Sequence, residues 1–290
     1  MQRIPDVTLA NPRADRVKQV RALSGRSARA KHSQFLVEGP QGVREAVRHA
    51  TDDVRDVYLT EAAAARYDEI LDDALDQGLR VHVGAPEVLD AMSADAQGVL
   101  AVVRSRSWPL DDVLTTLASS RRDAARPLLV AVLATVRDPG NAGTVIRAAD
   151  ASGADLVVLA GESVDVHNPK VVRSTAGSLF HLPVATGPSL PETVAAMRRA
   201  GCTVLAADGA GDHDLDDLLD VVGAQGRPAG VPDLAASTAW VLGNEAWGLH
   251  EADRALADAV VRVPIRGRAE SLNLATAATV CLYASSRAQR

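Results

Sequence analysis

Two polar segments late in the chain carry residues suited to chemistry: Leu242-Gly243-Asn244-Glu245-Ala246-Trp247-Gly248-Leu249 and Glu270-Ser271-Leu272-Asn273-Leu274. A third lies upstream, Asp138-Pro139-Gly140-Asn141-Ala142-Gly143-Thr144-Val145-Ile146-Arg147. Each reads as a strand end, a polar or Gly-rich loop and a helix start, which is where α/β proteins place ligands. Glycines at 140, 143, 243, 248 and 267 let main chain approach a ligand closely, with the polar groups of Asn141, Arg147, Asn244, Glu245, Ser271 and Asn273 around it. Taken singly, Asn141 and Ser271 read equally well as helix N-caps. Arg147 follows Asn141 by about one and two-thirds helical turns, so the two do not share a helix face.

Several familiar chemistries are excluded by what is missing. The first strand of the C-terminal half is not followed by G-x-G-x-x-G, and there is no G-x-x-x-x-G-K-[ST] loop, which argues against ordinary dinucleotide and ATP sites. No G-x-S-x-G elbow marks a serine hydrolase. The two cysteines, Cys202 and Cys281, each sit in an apolar stretch and read as buried thiols. The seven histidines are scattered without metal-ligand spacing, so no metal site is expected. No apolar run approaches the roughly 20 residues that span a bilayer, and Met1-Gln2-Arg3-Ile4-Pro5 has no apolar leader. The expectation is a cytoplasmic protein with no membrane partner.

The elements that must position these loops alternate between strand and helix. Residues 10–30 read as helical up to Ser24-Gly25-Arg26. Strands are expected at 34–38, 54–59, 80–83 and 99–103, with helices at 43–49, 61–78 and from 86, giving a small α/β domain over residues 1–105. Residues 106–126, with Ser105-Arg106-Ser107-Trp108-Pro109 at the border and a short helix at 110–117, read as the interdomain connection. The second domain, 127–290, opens on the apolar run Pro127–Leu133, suited to a buried parallel strand. Helices follow at 141–152, 170–178, 191–200 and 272–286, with strands at 155–159, 182–184, 203–206, 239–242 and 260–263. Residues 208–232 form an acidic, Gly-rich stretch expected as a loop with a short helix.

With 47% hydrophobic and 23% charged residues the composition is globular, and at 3% aromatic the core must be built from Ala, Val and Leu. Net charge is −6, which at first argues against a nucleic-acid partner. Its distribution argues the other way. Residues 1–50 hold ten Lys and Arg against four Asp and Glu, an excess of +6, so the rest of the chain carries −12. Arg13, Arg16, Lys18, Arg21, Arg26, Arg29 and Lys31 crowd into one stretch, which reads as a solvated helix face or an RNA contact.

In combination, Asn141-x5-Arg147, Gly243-Asn244-Glu245-x-x-Gly248 and Ser271-Leu272-Asn273 resemble, in order, the three motifs of the SpoU (TrmH-type) RNA ribose 2′-O-methyltransferases of the SPOUT superfamily. The resemblance covers residues 127–290, with Asn168–Gly177 similar to a further segment common in that family. Phe35-Leu36-Val37-Glu38-Gly39 and Gln97-Gly98-Val99-Leu100-Ala101 are similar to the substrate-binding domain fused to many rRNA-directed members.

The resemblance implies an α/β fold: a trefoil-knotted parallel-sheet domain at the C-terminus and a smaller RNA-binding α/β domain before it. It implies S-adenosyl-L-methionine as cofactor, surrounded by Gly243, Asn244, Val263, Ile265 and Leu272 with Leu205 and Ala206 as candidates for the floor. It implies methyl transfer to a ribose hydroxyl of RNA, with 23S rRNA favoured over tRNA by the two-domain layout. Arg147, Asn141, Glu245, Ser271 and Asn273 are the implied catalytic set. A guanidinium is always charged, so Arg147 reads as a clamp on phosphate or developing alkoxide, with the base left open. The other four would orient that arginine and the ribose. Lys18, Arg21, Arg26, Arg29, Lys31 and Arg173 are the expected RNA contacts. The family is typically dimeric, and Leu272, Ala275, Thr279 and Tyr283 are a candidate interface stripe on the last helix. Two other readings compete: a non-catalytic RNA- or ribosome-binding protein of the same fold, and a nucleotide-dependent α/β enzyme.

Overall fold

The computed structural model describes residues 6–120, 126–224 and 227–290. Residues 1–5, read as lacking a leader, residues 121–125 of the expected connection, and residues 225–226 of the acidic stretch lie outside the described residues. The chain forms two compact units, 1–106 with 165–181, and 107–164 with 182–290.

In the first unit the elements run β1 (Val7–Leu9), α1 (Asp15–Ala22), α2 (Arg26–His32), β2 (Gln34–Glu38), α3 (Pro40–His49), β3 (Val54–Leu59), α4 (Glu61–Arg66), α5 (Asp68–Asp76), β4 (Val81–Gly84), α6 (Pro86–Met92) and β5 (Val99–Arg104). The chain then forms α7 (Leu110–Ser120), β6 (Leu129–Ala134), α8 (Pro139–Ser152) and β7 (Leu156–Ala160) before α9 (Pro169–Ser174), which belongs to the first unit. There follow β8 (Val184–Thr186), α10 (Leu190–Arg199), β9 (Thr203–Ala207), β10 (His213–Asp214), α11 (Leu215–Asp220), β11 (Thr238–Leu242), α12 (Glu251–Arg254), β12 (Ala259–Arg262) and α13 (Leu274–Ala288).

Among the described residues the first unit holds one five-stranded mixed sheet, ordered β1-β4-β3-β5-β2. β5 runs antiparallel to both β2 and β3, whereas β3 and β1 run parallel to β4. Successive side chains on a strand point to opposite faces, and the core follows that period. Phe35, Val37, Val57, Leu59, Ala101 and Val103 pack with α3 and α5, while Leu36, Tyr58, Leu100 and Val102 pack with α1 and α6. β1 went unanticipated because three residues are too few to show a period.

The second unit is built on a parallel sheet ordered β10-β12-β9-β11-β6-β7-β8. β6, β7 and β11 are buried at every position, as expected of strands covered on both faces. One face is covered by α10 through Leu190, Val194 and Met197, and by Val113 of α7, the helix expected inside the connection. On the other, α13 packs against α8, β11 and β6, and the buried Trp240 Nε1 donates to Ser285 Oγ at 2.9 Å. β11 is inserted between β6 and β9, and after β12, beyond β9, the chain returns as α13 over β11 and β6. This backtracking path is consistent with the expected trefoil knot. Among the described residues no helix is long and apolar enough to cross a membrane.

Candidate active site

The parallel sheet brings three strand ends level. Leu242, last in β11, registers with Leu133 of β6 and Ala207 of β9. The chain leaving β6 and β11 therefore emerges at one edge, outside the C-terminal ends of parallel strands.

After β6, Thr135 adopts the left-handed conformation at φ 55°, and the chain turns through Asp138 into α8. Asp138 is the N-cap: its Oδ1 accepts from the Asn141 N–H at 2.8 Å, with Pro139 at the first helical position. The expectation that Asn141 caps this helix is thus corrected. Asn141 lies three residues beyond the cap, at the third helical position, and its side chain is left for other partners. The signal for Asp138 was present in the Asp-Pro pair that precedes the helical pattern.

The loop after β11 folds back on itself. Asn244 N–H donates to the Gly248 carbonyl at 2.9 Å and Gly248 N–H to the Asn244 carbonyl at 2.8 Å. A Cβ at Gly243 would stand 2.3 Å from the Gly248 carbonyl carbon, so this closure admits only glycine at 243. Asn244 is buried, its Oδ1 accepting from Ala246 N–H at 2.9 Å and its Nδ2 donating to the Thr135 carbonyl at 2.8 Å. Glu245, one residue on, is exposed. Its Oε1 accepts from Asp138 N–H at 3.2 Å and Asn141 Nδ2 at 3.4 Å, and its Oε2 from Arg137 N–H at 3.4 Å.

The third segment joins through Asn273, whose Nδ2 donates to Asn141 Oδ1 at 3.1 Å. Its Oδ1 accepts from Ala275 N–H at 2.9 Å, which makes Asn273 the N-cap of α13. The alternative of Ser271 as that cap is corrected: it stands three residues before the first helical residue. Asn244, Glu245, Asn141 and Asn273 thus stitch the three loops together.

Arg147 and Ser271 are not part of this network. Both are exposed, and among the described residues neither has a polar partner. Arg147 projects from α8 with its guanidinium uncommitted, and three of the four residues expected to orient it, Asn141, Glu245 and Asn273, bond to one another instead.

The expected cofactor residues divide by accessibility. Leu205 and Ala206 are fully buried, because β9 is an interior strand with α10 and α13 packed against it, so their side chains offer a ligand no surface and the expected floor is corrected. Ala207, half-buried at the end of β9, is the first residue there that a ligand could reach. Gly243 and Asn244 are occupied in closing their own loop. Val263 is half-buried, and Ile265 and Leu272 are 39% and 37% exposed. Among the described residues no main-chain N–H from Ile265 to Leu272 bonds to another main-chain group. Exposed aliphatic side chains beside unpaired main-chain donors and acceptors are what an adenosyl group needs, so this segment fits the expected cofactor.

Trp247 is a residue that the sequence reading left without a role. It is 46% exposed, stacked on His250 with ring centroids 5.9 Å apart, and Arg137 lies 5.7 Å over its ring. Its loop position carried no signal of the Arg137 contact, since that residue comes from the loop after β6.

Of the expected RNA contacts, Lys18, Arg21, Arg26 and Lys31 are exposed on α1 and α2, Lys18 pairing with Asp15 at 3.1 Å. Arg29 is corrected: it is 5% exposed, pairs with Asp165 at 2.7 Å and donates to the carbonyls of Leu23 and Ser24. A guanidinium so enclosed is a structural tie and cannot meet phosphate. Arg173 is spent on Glu38, whose side chain is buried, and on Asp95 at 3.0 Å. The expected stripe on α13 is also redrawn. Ala275 is buried, Thr279 half-buried and Leu272 lies before the helix, whereas Thr276, Val280 and Tyr283 are exposed at helical spacing.

Comparison with known proteins supplies the context for this geometry. The profile of the SpoU rRNA Methylase family matches residues 128–283, and that of RNA 2′-O ribose methyltransferase substrate binding matches 36–109. A 23S rRNA (uridine(2479)-2′-O)-methyltransferase of Streptomyces viridochromogenes is 32% identical over 99% of this chain and 94% of its own length. The 23S rRNA (guanosine(2553)-2′-O)-methyltransferase RlmP of Bacillus subtilis is 30% identical over 92% of this chain and 94% of its own. Among solved structures, the SpoU methyltransferase AviRb of Streptomyces viridochromogenes with AdoMet aligns at TM-score 0.74 and 32% identity, covering 94% of this chain and 98% of that one. An AdoMet-bound rRNA methyltransferase of Sinorhizobium meliloti aligns at TM-score 0.75 and 27% identity, covering 96% and 97%. All three stitched loops fall inside the first profile match, and the chain belongs to the SpoU rRNA methylase family.

Proposed function

We propose that the protein methylates a ribose 2′-hydroxyl of 23S rRNA, using S-adenosylmethionine. The observation that carries this reading is the Asn141–Glu245–Asn273 network, which fixes three loops beside an uncommitted arginine. The names of the 23S rRNA relatives and the AdoMet-bound neighbours support the substrate and cofactor.

S-adenosylmethionine supplies a methyl group already activated on a sulfonium. What remains for the chain is placement of the hydroxyl and stabilisation of the charge it gains. Val263, Ile265 and Leu272 with their main chain hold the cofactor. Asn141, Glu245 and Asn273 give the loops one fixed geometry, and Ser271 has its hydroxyl available beside them. Arg147 neutralises a phosphate or the developing alkoxide, a task that suits a group which never loses its proton.

The exposed Lys18, Arg21, Arg26 and Lys31 support a sequence-independent phosphate contact in the first unit. The exposed stripe Thr276, Val280 and Tyr283 supports a homodimer through α13. A cytoplasmic site of action follows from an rRNA substrate.

Mapping of 2′-O-methylation in rRNA from cells with and without the protein tests the activity. One rRNA ribose should lose its mark in the deletion. An unchanged rRNA map with a lost tRNA mark moves the substrate to tRNA. Two unchanged maps, with no saturable S-adenosylmethionine binding by calorimetry, leave the non-catalytic reading.

A further inference from the structure

A second cluster of chemically capable side chains lies in the first unit. Glu45 and His49 stand one helical turn apart on α3, so their side chains share a face. His181 follows the 3-10 turn Ser178–Phe180, which packs on α3. Both imidazoles aim Nε2 at the same atom: Glu45 Oε2 is 3.1 Å from His181 Nε2 and 3.4 Å from His49 Nε2. The two rings meet edge to face, with centroids 4.8 Å apart. One ligand atom from each residue lies within 4.8 Å of the other two.

The spacing has a specific meaning. Zinc binds imidazole nitrogen and carboxylate oxygen at about 2.0–2.1 Å in a tetrahedron, whose edges are then about 3.3–3.4 Å. The two separations from Glu45 Oε2 are close to that edge. A closing movement of His49 toward His181 is all that the third edge requires.

The cluster is also built, with its acid held in place. A Cβ at Gly177 (φ +99°) would lie 2.4 Å from Glu45 Cγ and 2.8 Å from its Cβ. Glycine at 177 is what lets the Glu45 stem pass beneath this turn, and the contact fixes the carboxylate at the centre of the cluster. The cations flanking it on α3 are neutralised elsewhere, Arg44 by Glu69 and Arg48 by Asp73. Two imidazoles and one carboxylate match zinc-class divalent metals better than magnesium or calcium, which favour all-oxygen sets.

We propose that Glu45, His49 and His181 bind a divalent transition-metal ion of the zinc class, with water in the fourth position, clipping the 165–181 segment to α3. The site is independent of methyl transfer and involves none of the residues assigned to it.

The untagged full-length chain, freed of metal by a chelator, is titrated with cobalt(II) and followed by its visible d–d absorption. One equivalent should saturate the signal, and zinc should abolish it. His49→Ala and His181→Ala should each weaken binding at least tenfold, while circular dichroism and methyl transfer stay unchanged. X-ray absorption of the zinc-loaded wild type, which requires no variant, should count two imidazoles. Absence of saturable cobalt absorption, its survival in the His49→Ala/His181→Ala double variant, or fewer than two imidazoles on zinc each overturns the proposal. The cluster is then a pair of histidine–carboxylate hydrogen bonds.

Discussion

Asn273 donates through Nδ2 to Asn141 Oδ1 at 3.1 Å, while its own Oδ1 caps α13. One side chain thus starts the last helix and tethers it to α8, the helix that follows β6. The two duties can be separated. Asn273→Asp keeps the capping oxygen, loses the donor, and brings a negative charge to the network that holds Glu245. We expect it to fold within a few tenths of a kcal/mol of wild type, since Asp caps as well as Asn, while losing most methyl transfer. Asn273→Ala should lose methyl transfer and about 1 kcal/mol of stability as well. Thermal unfolding and a tritium-methyl assay on both variants check the separation.

Arg147→Ala should cut turnover roughly 10²- to 10³-fold, the usual loss for one donor to transition-state charge. Because Arg147 is exposed and makes no polar contact among the described residues, stability should change by less than about 0.5 kcal/mol. Calorimetry should find S-adenosylmethionine binding intact. A weakened cofactor affinity with normal turnover at saturation would instead place Arg147 in the cofactor pocket.

Two arginines of α2, three residues apart, should behave oppositely. Arg26→Glu, on the surface, should lower RNA affinity and flatten its dependence on salt with little effect on folding. Arg29→Ala breaks an enclosed ion pair and should cost about 2–4 kcal/mol, somewhat under the 3–5 of a fully buried pair because the Asp165 side chain is 22% exposed. Filter binding across a salt series and urea unfolding separate the two roles.

The same cluster sets a pH dependence. Burial, with Arg29 nearby, holds His167 below the ordinary value of 6.5. Burial pushes Asp165 the other way, but hydrogen bonds from Arg29 and the His167 N–H outweigh it and hold the carboxyl below 3.8. Both groups take protons more readily in the unfolded chain. The contribution of His167 is therefore complete above about pH 6.5 and is lost as pH falls from there toward its folded value, at up to about 1.4 kcal/mol per pH unit. Asp165 adds a further loss below about pH 4. Urea midpoints from pH 7.5 to 5 should fall less steeply in His167→Gln than in wild type. Parallel slopes would remove His167 from the account.

Val280 and Tyr283 are 38% and 46% exposed on the outer face of α13, and a charge there should be tolerated by the monomer. Val280→Glu should shift sedimentation from dimer to monomer with a stability change under about 0.5 kcal/mol. A monomeric wild type at micromolar concentration would end the dimer proposal.

Cys281 is fully enclosed, and burial pushes its thiol up to about 12, as expected for an inert core cysteine.

The amino-acid order was enough to determine the alternation of strand and helix, the three polar loops and their place at strand ends. Each of these is local: an apolar run such as Leu129–Ala134, or a glycine where the chain doubles back. Tertiary structure decided what depends on distant partners. Arg29 and Arg26 look alike in a basic helix, yet only Arg29 meets Asp165, and that contact makes one structural and leaves the other free. Leu205 and Ala206 look like a cofactor floor until α10 and α13 pack against β9. Asn141 looks like a cap until Asp138 takes that place, which releases its amide to Glu245 and Asn273. Glu45, His49 and His181 show no metal spacing along the chain, because the third ligand arrives from 132 residues beyond the second, on a turn that packs against the helix carrying the first two.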